Sequence, residues 1–249
     1  MVAAARSAGA AELAVQFVDV DGAERYELLV ECGSVRFEVL APVAPFVSYR
    51  GQRSWSGRWW SATVGRHVAY RSWLARDHAM ELDYDPHVLA YAARPFWLYF
   101  RDGLTDRRHG PDFFARRVDG TGVVLDCRST APVGRPDAGC AAMAQACQLM
   151  GWEYGLVGEL DEPRGATLRW LAGYRHPRFA DDSRAGLLRS WCADGGGAVP
   201  LGALLARAAG DLVMPTVLFH LLWRQQLRVE LSEVLSEASP VMLSRAEPA

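Results

Sequence analysis

The stretch "GPDFFARRVDGTGVVLDCRS", residues 110–129, brings two acids and a base together on what reads as a β-hairpin. An apolar run, a D-G-T-G turn and a second apolar run give two adjacent strands. Asp112 stands at the start of the first strand, Asp126 near the end of the second, and Arg128 two residues later. Strand side chains alternate, so Asp126 and Arg128 are expected on one face, with Leu125 and Cys127 turned into the core. Asp112, on the neighbouring strand, reaches the same edge. Two converging carboxylates hold Mg²⁺ or Mn²⁺, hard cations that take oxygen ligands and keep several waters. Such a metal activates a water and stabilises the charge that builds on a phosphodiester. A lysine beside it would help orient that water. Here Arg128 stands instead, which stabilises an anion but cannot act as a base, because its pKa exceeds about 12. The competing reading of the same residues is a solvated Asp–Arg pair on an ordinary hairpin.

A second constellation lies upstream. Residues 50–71 carry Arg50, Arg53, Arg58, Arg66 and Arg71, interleaved with Trp55, Trp59 and Trp60 and no acid. Arginines among aromatics suit phosphate contacts and stacking on bases. The alternative is a structured loop whose tryptophans pack while its arginines face solvent. Arg107, Arg108, Arg116 and Arg117 flank the hairpin and extend such a face.

The elements that must position these residues read as α/β. Residues 13–41 suggest three short strands, and 68–82 have helical spacing that ends before D-Y-D-P. Strands follow at 88–91, 96–101, 111–117 and 122–128. A small-residue helix over 136–150 ends at Gly151, followed by a strand at 152–158 and a helix at 163–173. That order predicts a mixed sheet flanked by helices. The tail changes character: helices over 181–192, 199–209 and 212–226, then "LRVEL" and "PVMLS" able to pair, the pattern of a winged helix. A helical cap on the sheet is the alternative.

Composition narrows the function classes. The chain has 249 residues and a net charge of −2, so any binding to nucleic acid must come from a local patch. All 27 basic residues are arginine, so an arginine where chemistry prefers lysine can reflect a coding bias. Five cysteines without a close C-x-x-C pair argue against a disulfide framework or a zinc site and read as core residues. Cys140 and Cys147, seven apart on one helix face, fit packing. The apolar runs are too short to span a membrane, and the Ala-rich start reads as frayed, not as a signal peptide, so a cytoplasmic protein is expected.

From "HAMELDYDPHVLAYAARPFWLYFRDG" through P-D-F, "GWEYGLVGELDEP", "RWLAGYRHPR" and "LFHLLWRQQL", the ordered run over about residues 64–245 resembles the TnsA family. These are the endonuclease subunits of heteromeric transposases. The resemblance implies a PD-(D/E)xK restriction-endonuclease-like mixed sheet followed by a winged-helix-like C-terminal domain. The implied limits are an N-terminal β extension and Arg/Trp-rich segment at 1–62, a nuclease-like domain at 63–178 and the C-terminal domain at 179–249. It carries the metal-binding aspartate onto Asp112, the next ligand position onto Asp126 and the lysine onto Arg128. The family helix reads E-S-x-L-E, and its last glutamate completes the metal site. Here the run is Arg71-Ser72-Trp73-Leu74-Ala75. Ala75 offers no ligand, and Arg71, expected one turn earlier on the same face, brings a positive charge. His78 shares that face, but Mg²⁺ prefers oxygen.

The expectation is a DNA-processing protein of a transposon or related mobile element with weakened or lost catalysis. It would act through DNA and a transposase or other mobile-element partner, with Arg50, Arg53, Arg58, Arg66, Arg71 and Arg108 as DNA contacts. Mg²⁺ or Mn²⁺ is implied only if the site is active. The alternatives are an active endonuclease cutting at transposon ends and a protein-interaction scaffold without a DNA role.

Overall fold

Alternating burial and short turns, more than long amphipathic runs, set the architecture of the computed structural model, which describes residues 13–46, 55–129 and 137–244. In chain order the elements are β1 (Ala14–Val18), β2 (Glu24–Leu28), β3 (Gly57–Trp60), β4 (His67–Tyr70), α1 (Trp73–Tyr84), β5 (Val88–Ala93), β6 (Phe96–Asp102) and β7 (Thr105–His109). There follow β8 (Phe113–Arg117), β9 (Gly122–Cys127), α2 (Ala138–Met150), β10 (Glu153–Val157), α3 (Glu162–Leu171), α4 (Asp182–Asp194) and β11 (Val199–Pro200). The chain ends with α5 (Leu201–Arg207), α6 (Met214–Trp223), β12 (Leu227–Arg228) and β13 (Pro240–Leu243). It is a mixed α/β protein that divides into two compact units. The first comprises residues 1–57, 69–71 and 89–158, and the second 58–68, 72–88 and 159–249. Among the described residues no helix is long and apolar enough to cross a membrane.

The first unit holds two four-stranded sheets, ordered β2-β1-β6-β7 and β10-β9-β8-β5. β8 and β9 pair antiparallel across the Asp119-Gly120 turn, where Gly120 takes φ +88°. β10 lies parallel to β9, a pairing that needs a crossover, and α2 supplies it. Asp137 caps the start of α2 by accepting from the Cys140 amide, and Gly151 ends it in the left-handed conformation. Val15, Phe17, Leu98, Val124, Met143 and Cys147 belong to one core between these elements.

Two expected elements take another form, and one strand is added. Residues 33–41 do not form a third strand; Phe37–Val39 is a 3-10 turn. The turn drives Phe37 fully inside, within 4.8–5.8 Å of the rings of Phe17, Phe96, Phe114 and Trp152. Residues 68–82 are not one helix. His67–Tyr70 is β4, paired with β3, and α1 begins only at Trp73. Ser72 sets that start, its hydroxyl accepting from the Ala75 amide at 3.1 Å. Arg71 therefore lies outside the helix. Strand β7, "TDRRH", was not foreseen because an exposed edge strand needs no apolar face. Gly103, at φ +61°, turns the chain into it.

In the second unit a buried carboxylate organises the segment before α1. Asp83 accepts from Trp59 Nε1, Ser61 Oγ and the amides of Ala62 and Thr63, at 2.6–3.1 Å. The Arg/Trp-rich segment is thus partly scaffold: Trp59 is buried, Trp60 stacks on His176, and Trp55 is 70% exposed. Helices α4, α5 and α6 accompany a small sheet ordered β11-β13-β12. α6 is buried from Val217 to Trp223 against its neighbours, with Phe219 against Trp170 and Tyr174, and Trp223 against Tyr84.

His220 on α6 gives this packing a pH signature. Its Nδ1 lies 2.7 Å from the Tyr174 carbonyl, which only accepts, so Nδ1 carries the proton. Burial pushes the imidazole below its ordinary value; the Tyr174 bond opposes this and Arg224 adds to it. The unfolded chain then takes up a proton at a pH where the folded one does not, so stability falls as pH drops below about 6.5. Thermal unfolding scanned from pH 8 to 5 is expected to show this fall, and His220→Gln to flatten it. Parallel curves for the two proteins would remove His220 as the source.

Candidate functional site

Asp112 is held by the end of β9 and by Arg71. Its amide donates to the Leu125 carbonyl (2.9 Å) although strand pairing begins only at Phe113 opposite Leu125. That double use of Leu125 turns the Asp112 carboxylate toward the next amide, and Oδ2 accepts from Cys127 N–H at 2.8 Å. Arg71 closes on both carboxylate oxygens, with Nε 2.5 Å from Oδ1 and Nη2 3.0 Å from Oδ2. Nη2 also lies 3.4 Å from the Cys127 carbonyl. This is a two-pronged guanidinium–carboxylate pair with the acid buried. Burial, with Asp112 adding, pushes the Cys127 thiol far up, so it stays neutral beside the pair.

Asp126 faces elsewhere. It is fully buried and shares its strand face with Val124 of the core, whereas Leu125 on the opposite face is only half-buried. The expectation that Leu125 marks the core face is corrected accordingly. Both Asp126 oxygens lie 2.8–3.0 Å from His109 Nε2, and the Tyr154 hydroxyl donates to Oδ2 at 2.8 Å. Burial, and then the Asp126 charge, push the Tyr154 phenol far above its ordinary range, which keeps it a donor. Cys140, in the first turn of α2, has its thiol beside His109 and Asp126, so it borders a polar cluster and not only the helix packing. Arg128 lies 3.6 Å from Asp137. Burial works against its charge, but Cys140 and Asp126 outweigh that and hold it protonated.

The ligating atoms of His109, Asp126 and Cys140 all lie within 4.8 Å of one another. That donor set suits a borderline transition metal better than Mg²⁺, but Asp126 is already hydrogen-bonded by His109 and Tyr154. His109 and Tyr154 were missed in the sequence because neither belongs to a spaced motif; a strand edge and a crossover bring them together.

Ala75 is buried in the first turn of α1 and belongs to the second unit, while Asp112, Asp126 and Arg128 belong to the first. His78 Nδ1 lies 3.3 Å from Glu81 Oε2. Arg58 and Arg66 are exposed, and Arg50 and Arg53 lie outside the described residues. Arg108 is exposed on β7 over the Trp97 ring.

A hard divalent cation does not suit the Asp112 position. Both oxygens carry the guanidinium, one also carries an amide, and a Mg²⁺ ion would have to displace a cation already paired in place. No protein-family model and no curated protein sequence matches this chain.

The Arg71–Asp112 pair should be a sizeable contributor to folding. Arg71→Ala leaves a buried carboxylate with one amide donor and is expected to cost about 2 kcal/mol in denaturant unfolding. Adding Asp112→Asn should restore part of it. Simple additivity of the two substitutions would mean that the pair is not coupled in solution.

Proposed function

We propose that this is a TnsA-like, nucleic-acid-binding protein of a transposon or related mobile element, built on a nuclease fold that no longer cuts. The observation that carries this reading is the guanidinium of Arg71 seated on both oxygens of Asp112, where the resemblance expects a metal. Ala75 in place of a glutamate and the permanently protonated Arg128 point the same way.

The order α1, β5, β8, β9, α2, β10, with β10 parallel to β9, supports the PD-(D/E)xK expectation. Three helices with a small sheet ordered β11-β13-β12 support a winged-helix-like C-terminal part. A winged helix that reads DNA does so with its third helix in the major groove. α6, the third helix here, contains no arginine and is buried from Val217 to Trp223. The C-terminal part is therefore read as a structural or partner-binding module, and the DNA contact is assigned to arginines outside it.

Calorimetric titration with Mn²⁺ and Mg²⁺ tests the loss of catalysis. The wild type is expected to bind neither. Mn²⁺ binding that disappears in Asp112→Ala would overturn this reading in favour of a working endonuclease. Fluorescence anisotropy with a DNA duplex tests the rest: affinity is expected to fall steeply as salt rises. A folded protein that binds no DNA at low salt would leave only a scaffold.

A further inference from the structure

Two arginines of the first unit stand apart. Every other described arginine there has a carboxylate within ion-pair distance, as Arg101 has Asp106 and Arg107 has Asp102. Among the described residues Arg94 and Arg108 have no such partner. Both nonetheless lie on one indole. The guanidinium carbon of Arg108 is 4.6 Å from the Trp97 ring centroid, and that of Arg94 5.4 Å. Arg94 also covers Phe46 at 4.7 Å.

Arg94 is held there at a cost. Its Nε is buried and, among the described residues, has no hydrogen-bond partner; an unmatched polar N–H is expensive to desolvate. Its backbone is left-handed at φ +41°, which costs a non-glycine residue about 1–2 kcal/mol. Two backbone bonds fix it: the Val43 amide donates to the Arg94 carbonyl at 3.0 Å, and the Arg94 amide to the Asp112 carbonyl at 3.2 Å. Gly110 leaves the room, since a Cβ there would come within 2.8 Å of Trp97 and 3.1 Å of Arg94. Burial and then the charge of Arg71 disfavour the Arg94 cation, and Asp112 only partly offsets them. The carboxylate of Asp112 is already committed to Arg71 and to the Cys127 amide.

A guanidinium without a carboxylate partner, disfavoured by burial and by the Arg71 charge, gains from an incoming anion. A guanidinium fork matches the oxygen pairs of a phosphate. We propose that Arg94 and Arg108, carried on Trp97, form the seat for a backbone phosphodiester of nucleic acid. The assignment rests on the nucleic-acid reading above and adds to it a residue, Arg94, which no motif marked.

The test is duplex and single-stranded DNA anisotropy over a salt series, on the whole chain. Arg94→Gly removes the guanidinium and suits the positive φ, so it should fold, as thermal unfolding will check. Arg108→Ala, on an exposed strand, gives a second variant that does not depend on that fold. Each is expected to weaken binding about tenfold whatever the sequence, and to lower the salt slope by about one. Arg101→Ala, an equal charge change at an ion-paired arginine, should leave the slope unchanged.

Wild-type slopes in Arg94→Gly and Arg108→Ala would overturn the seat while leaving the nucleic-acid reading standing. Equal losses in all three variants would reduce it to bulk charge. Calorimetric binding of inorganic phosphate that is lost in Arg94→Gly with DNA binding intact would assign the pocket to a free phosphate and overturn the phosphodiester. Absence of DNA binding in the wild type would overturn both readings together.

Discussion

A single buried aspartate ties the first unit together. Asp112 gives its amide to Leu125, its carbonyl to the Arg94 amide, and its carboxylate to the Cys127 amide and the Arg71 guanidinium. Three polar groups of one residue thus fix the end of β9, the residue after β5 and the segment after β4. A carboxylate this deeply buried is tolerable only because every bond to it is made. The same bonds that make it a structural hub occupy both its oxygens at the position where the sequence suggested a metal ligand.

The chain repeats this pattern of charge satisfied in place. Asp126 is closed by His109 and Tyr154, and Asp83 by a tryptophan, a serine and two amides. Guanidinium serves well in such roles because it stays charged and offers a planar fork. With no lysine in the chain, every basic contact has this geometry. Most described arginines of the first unit are spent on carboxylates; Arg94 and Arg108 are not.

Packing sets a second limit on function. α6 is apolar around nearly its whole circumference and is covered within the second unit. A helix so enclosed contributes stability, not a reading surface. Topology alone would have assigned it a groove to enter; burial assigns it to the core.

Much of the architecture was legible in the residues. The hairpin around Gly120, the α2 helix with its Gly151 stop, and the helices of the tail all follow from turn chemistry and apolar spacing, which are local. β7 escaped because a charged edge strand has no apolar period, and Phe37–Val39 escaped because the core took one phenylalanine out of a strand-like run. The boundary at Ser72 mattered most for the site: one capping hydroxyl moved Arg71 off the helix and onto Asp112. The sequence by itself determined which charges exist and which strands carry them. Only the tertiary structure decided which charges cancel, because hydrogen-bond partners separated by 15 to 41 residues, such as Cys127 and Arg71 on Asp112, are chosen by the fold and not by spacing.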